Sequence, residues 1–234
     1  MWIVLLTALG VGGATVVGAL IGLLLKGLPE RGNFLLTAFS AGMMLAAAVL
    51  GLILPGVASG QLRDLVLTVA GLAFGSAFLG IANHFLPQSP TSSRALLLVL
   101  AMALHNAPEG LAAGVSFGCD SQTGTFLIVS SIMLQNIPEG MIIIPPMVRA
   151  GYTPKRAFAY GFGTGMIEVL GTFLGYFAMR LSQAMLPFAL GFAGGAMLFV
   201  VCGEMIPESA DQKSGLYTLL AGFTLVLIAD VLFQ

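Results

Sequence analysis

His105-Asn106-Ala107-Pro108-Glu109-Gly110 lies within an apolar run over 94–117, and Gln135-Asn136-Ile137-Pro138-Glu139-Gly140 lies within another over 124–148. Each hexapeptide puts a carboxylate, an amide and a proline where a membrane interior would demand leucine. A glutamate at bilayer depth, priced like the charged residues on the insertion scale, costs roughly 2.5–3.5 kcal/mol. Side chains of this kind usually face a polar cavity, a partner or an ion path rather than lipid. The same costly arrangement, 30 positions apart, predicts a shared task for the two segments.

The rest of the chain supplies the membrane context. Of 234 residues, 58% are apolar and 8% charged, against roughly 25% charged in soluble domains. Apolar runs of about twenty residues fall near 2–25, 33–56, 64–86, 94–117, 124–148, 156–179, 185–207 and 214–233. The expected fold is all-α: a polytopic membrane protein of eight spans forming a single transmembrane domain over 1–234. The 31 glycines suit close helix packing. A net charge of −1 offers no footprint for nucleic acid. The connections are short and carry breakers such as Gly27, Pro29, Pro87, Pro90, Gly151 and Pro154, so function is expected within the bundle. Two cysteines, Cys119 and Cys202, are too few for a framework and are expected as free thiols. The stretch Met1-Trp2-Ile3-Val4-Leu5-Leu6 has no basic n-region and reads as the start of a retained span.

Basic residues give a direction. Seven of the nine (Lys26, Arg31, Arg94, Arg149, Lys155, Arg156 and Lys213) fall on one side, and Arg63 and Arg180 on the other. The positive-inside rule then places both termini outside the cytoplasm. Spans 4 and 5, which carry the hexapeptides, run in opposite directions under that arrangement. A second echo joins span 2, Phe39-Ser40-Ala41-Gly42-Met43-Met44-Leu45, to span 7, Phe192-Ala193-Gly194-Gly195-Ala196-Met197-Leu198. Both are followed by an aliphatic residue and proline, Leu54-Pro55 and Ile206-Pro207. These echoes predict inverted repeats, spans 1–3 and 6–8, around a central pair, spans 4–5. Such repeats place a carrier's site near the midplane. The second echo is equally compatible with a close-packing surface.

On a helix each residue advances about 100°, so Glu109 projects between His105 and Asn106, and Glu139 between Gln135 and Asn136. Pro108 and Pro138 lack an N–H and free the carbonyls of Leu104 and Leu134. If the two spans face each other, their donors converge as a cation pocket. Imidazole with carboxylates and amides suits divalent ions such as Zn²⁺, Fe²⁺ or Mn²⁺, and Mg²⁺ prefers an all-oxygen shell. Glu168 in span 6 can add a third carboxylate, and Met43 or Met44 a thioether. The amides can equally join helices together, and Met44 and Met197 can simply pack. Glu204 and Glu208 can guide ions or sit solvated at the interface; His84, Asp120, Asp211 and Asp230 fall near span ends.

These residues resemble the ZIP (Zrt/Irt-like) metal-ion transporters, especially the GufA-like branch. The resemblance covers nearly the whole chain: eight spans, both termini outside, the two hexapeptides, Ala41-Gly42-Met43-Met44-Leu45 and Glu204-Met205-Ile206-Pro207-Glu208-Ser209. It implies a carrier and not an enzyme, bringing divalent metal into the cytoplasm through a two-metal site between spans 4 and 5. By that resemblance Met44, His105, Glu109, Gln135 and Glu139 line one position, and Asn106, Asn136, Glu139 and Glu168 the other. Gln135 stands where many ZIP proteins have a second histidine. No prosthetic group is implied. The cargo is a divalent ion, zinc first, with iron, manganese or cadmium as alternatives. The expected partners are that ion and the bilayer of a cell (inner) membrane, and a homodimer is the assembly considered. Rival readings are a passive metal channel with the same ligands and an intramembrane metal-dependent hydrolase. The latter lacks His-Glu-x-x-His and has only two histidines to draw on.

Overall fold

The computed structural model describes residues 1–84, 92–118, 122–210 and 212–233, and these are helical, with no strand among them. Helix α1 covers Trp2–Leu24. Helix α2, Glu30–Ala46, runs without a break through a π-helix, Ala47–Ile53, into the short α3, Leu54–Val57. Then follow α4 (Leu62–His84), α5 (Ser92–Val115), α6 (Gln122–Arg149) and α7 (Pro154–Leu181). Helix α8, Leu186–Val200, continues through a second π-helix, Val201–Met205, into α9 (Ile206–Ala210), and α10 (Lys213–Phe233) ends the bundle.

The ends of these rods follow local chemistry. Gly60 and Gly151 take φ of 68° and 91° in the turns after α3 and α6, a region that costs an L side chain strain. Thr153 caps α7 by accepting the Arg156 N–H, with Pro154 at the first helical position. The π segments sit just ahead of Pro55 and Pro207. Leu54 N–H bonds back to Val49 and Ile206 N–H to Val201, five residues away in each case. A proline ring clashes with the carbonyl four residues earlier and offers it no N–H, so the turn before it widens.

Among the described residues seven helices are long and apolar enough to cross a membrane. The expected fourth span corresponds to α5, several of whose side chains lie outside the described residues. Its 24 residues make about 36 Å of helix, ample length to cross. The other spans begin and end within a few residues of expectation. The rod over Glu30–Val57 and helix α6 are central, 67% and 61% buried, whereas α4 and α10 are 22% buried and form the periphery.

Backbones meet at glycines. Methyl groups built on Gly18 and Gly171 would lie 2.1 Å from the Ile137 carbonyl oxygen and 2.9 Å from that of Ala107, bringing α1 onto α6 and α7 onto α5. Gly12 and Gly165 meet each other's carbonyls, joining α1 to α7. Farther out, Gly42 sits on the Leu219 carbonyl of α10, and Gly195 on the Leu72 carbonyl of α4. A Cβ cannot be accommodated against backbone in these places without moving a whole helix. We therefore expect Gly18→Ala to lower the thermal midpoint in detergent by about 3–10 °C, from an overpacking cost of about 1–3 kcal/mol. Gly163→Ala, whose Cβ would meet nothing within 4 Å, leaves the midpoint within about 2 °C. Scanning calorimetry of the two variants checks this, and equal midpoints would refute it.

Candidate metal-ion site

Helices α5 and α6 each bring one hexapeptide to the centre of the bundle, with Pro108 and Pro138 inside the helices. Asn106, Glu109, Gln135, Asn136, Glu139 and Glu168 are all 0% exposed. The chain thus buries three acids together with three amides. Among the described residues no Lys or Arg pairs with them, and the one ion pair, Arg63–Asp64 at 3.9 Å, lies elsewhere. A buried carboxylate without a compensating partner is strongly unfavourable.

The hydrogen bonds divide the cluster into two halves. In one, Gln135 Nε2 donates to Glu109 Oε1 at 2.8 Å, and the Glu109 and Glu139 carboxyls lie within hydrogen-bonding reach of each other. In the other, Glu168 of α7 is a hub. Its Oε1 accepts from Asn106 Nδ2 and from Thr15 Oγ1, each at 2.5 Å, and its Oε2 accepts from Asn136 Nδ2. Asn136 Nδ2 also reaches the Val11 carbonyl at 3.2 Å.

A carboxylate can only accept, so these contacts fix which end of each amide faces inward and leave the carbonyl oxygens over. Asn106 Oδ1, Glu109 Oε2, Gln135 Oε1, Asn136 Oδ1 and both Glu139 oxygens are buried without a donor. Buried polar atoms are nearly always satisfied. Here the unsatisfied ones are all acceptors, the pattern that a cation or a proton completes. Their chemistry fits a hard or borderline divalent ion. Among the described residues no three His, Cys, Asp or Glu side chains form a ready-made ligand cluster; the converging donors are a mixture of carboxylates and amides.

The remaining expectations fall as follows. Met44 is fully buried in an apolar cluster with Ala112, Ile128 and Ile132, and its echo Met197 belongs to the same cluster. The side chains of His105, Glu204 and Glu208 lie outside the described residues, as do Cys119, Asp120 and Asp211. Cys202 is a free, exposed thiol, as expected. His84 and Asp230 lie near the ends of α4 and α10, and both make interactions with other groups.

The reading of the sequence overlooked α1. Thr15, 0% exposed, and the Val11 carbonyl both enter the polar centre. A hydroxyl in a membrane helix ordinarily bonds its own helix four residues back, as Thr37, Thr172 and Thr218 do here. Thr15 therefore gave no signal in an otherwise apolar stretch.

Glu139 faces a like-charged neighbour and has no donor of its own. Glu139→Gln supplies an amide that can donate to Glu109. We expect the metal-free protein to gain about 1–3 kcal/mol, read as a thermal midpoint a few degrees higher, while the rise produced by added zinc is lost. Melting curves with and without zinc test both halves, and an unchanged zinc response overturns the assignment.

The family described as ZIP Zinc transporter matches residues 84–230. Zinc transporter GufA of Myxococcus xanthus is 36% identical over 69% of the chain and 69% of its own length. Zinc transporter ZIPB of Bordetella bronchiseptica is 33% identical over 93% of the chain and 77% of its own length. Zinc transporter ZIP11 of Homo sapiens is 40% identical over 62% of the chain and 45% of its own length.

Proposed function

The chain belongs to the ZIP zinc transporter family, and on that premise we propose that it carries a divalent metal ion, zinc first, into the cytoplasm by alternating access. The ion binds between α5 and α6. Met44, His105, Glu109, Gln135 and Glu139 line one position; Asn106, Asn136, Glu139 and Glu168 line the next, with Glu139 common to both. The observation that carries this reading is the set of buried acceptor oxygens without donors, contributed by both hexapeptides. A divalent ion neutralises two carboxylates and gives those oxygens a partner. Iron, manganese and cadmium are the alternative cargoes that the same donor set accepts.

Two features support a carrier over an open pore. All seven described polar residues of the centre, Thr15 included, are closed off from solvent, as in an occluded state and unlike a continuous aqueous channel. The backbone contacts also fall into two groups. Glycines tie α1, α5, α6 and α7 to one another, and separately tie α2 to α10 and α4 to α8. These contacts recur in pairs: Gly18 on Ile137 and Gly171 on Ala107, Gly42 on Leu219 and Gly195 on Leu72. The π-helices ahead of Pro55 and Pro207 are a further pair. Such pairing supports eight spans built as inverted repeats, with the unit holding the ion moving against the unit holding α2 and α8. The seven-to-two bias of basic residues supports both termini lying outside the cytoplasm of a cell membrane.

Carboxylates bind metal only after losing their protons, so uptake weakens as the medium is acidified. The deciding experiment measures zinc entry into proteoliposomes holding the wild type, His105→Ala or Glu139→Ala. The wild type takes up zinc with saturable counterflow, and each variant loses about 100-fold or more, at least the cost of disturbing a metal's outer shell. Undiminished uptake in both folded variants removes the site, and saturable uptake without counterflow replaces the carrier by a channel.

A further inference from the structure

We propose that Thr15, a hydroxyl on α1, is a positioning residue for Glu168 and sets the affinity of the metal position that Asn106, Asn136 and Glu168 line. The proposal rests on the transport reading above and adds a residue from a helix without any charged side chain.

Geometry carries it. Thr15 Oγ1 donates to Glu168 Oε1 at 2.5 Å, between side chains 153 positions apart in sequence. A hydroxyl has a single proton, and here it goes to the carboxylate instead of the carbonyl four residues back. That carbonyl, on Val11, accepts from Asn136 Nδ2 instead. The side chain is therefore committed to the polar centre and not to its own helix.

The glycines of the two hexapeptides hold both partners in place. A methyl on Gly140 would lie 2.1 Å from the Thr15 carbonyl oxygen, and one on Gly110 would lie 2.3 Å from that of Glu168. Backbone against backbone leaves the hydroxyl and the carboxylate little freedom to drift apart. Three residues before each, Gly12 and Gly165 meet each other. Thr15 thus stands on α1 as Glu168 stands on α7, and the two touch where their helices cross. An acid in both places would set another pair of like charges face to face; a hydroxyl provides a donor there.

The chemistry gives that donor a separate task. Glu168 accepts from two amides and one hydroxyl. Asn106 and Asn136 would offer a cation the Oδ1 atoms they leave free, so each amide is shared between the ion and Glu168. The hydroxyl has no such competing duty. It remains on Oε1 and keeps the carboxylate aimed while the ion is bound.

The test compares Thr15→Val, which matches threonine in shape but lacks the hydroxyl, with Thr15→Ser, which keeps it. In proteoliposomes we expect Thr15→Val to raise the apparent KM for zinc about tenfold, the scale of one charge-assisted hydrogen bond. Its maximal rate should stay within about threefold of the wild type, and Thr15→Ser should restore the KM. An unchanged KM in Thr15→Val overturns the proposal. So does an equal loss of folded protein in both variants with KM unaltered, which would make Thr15 a packing residue only. Calorimetric zinc titration of the purified proteins asks the same question without transport. Weaker binding in Thr15→Val than in Thr15→Ser and the wild type supports the proposal, and equal binding overturns it. A wild type that binds zinc but does not transport it sinks the transport reading alone.

Discussion

Three carboxylates sit at the centre of an apolar bundle, each sealed from water, with no basic side chain among the described residues to offset them. Everything else in the structure answers to that constraint. Removing an acid from water into a low-dielectric interior is among the largest unfavourable terms in protein energetics. Six amide or hydroxyl groups could satisfy the carboxylates completely, yet the chain supplies only enough donors for Glu168 and for one oxygen of Glu109. Evolution towards stability alone would have filled these positions with leucine. Their retention, with acceptors in excess, makes sense for a protein whose stable state includes a positive ion or a proton at its centre.

Close backbone packing is the second half of the same design. Polar side chains reach across helices only when the helices approach tightly, and the glycines at 12, 18, 110, 140, 165 and 171 give that approach. In lipid there is no hydrophobic gain from bringing two apolar helices together, so van der Waals contact and interhelical hydrogen bonds must serve. The central helices obtain both at once. Gly110 and Gly140 belong to the hexapeptides themselves, so the motif carries its ligands and its packing surface in a single turn.

Much of this was legible in the sequence because the signals were local and costly. A glutamate, an asparagine and a proline in hydrocarbon have few bland explanations, and their repetition singled out α5 and α6 with Glu109, Glu139 and their amides. Helix ends were readable from Pro29, Gly151 and Pro154. Two things were not. The division of the cluster, with Gln135 serving Glu109 and both asparagines serving Glu168, depends on rotamers and on a helix 32 positions beyond Asn136. Thr15 was invisible because one hydroxyl in a run of glycine, alanine and valine has an adequate partner in its own helix.

The π-helices over Ala47–Ile53 and Val201–Met205 have a mechanical meaning of their own. An α-turn advances about 1.5 Å and 100° per residue, and a wider turn takes in one residue more. Were either segment to tighten into ordinary α-helix, every side chain beyond it would pivot by about a quarter-turn relative to those before it, with no loop redrawn. Met44 and Met197 lie just ahead of these segments, and Pro55 and Pro207 just beyond or within the next turn. Each of the two rods is therefore jointed like a screw coupling, able to re-aim one end while the other stays seated against its glycines.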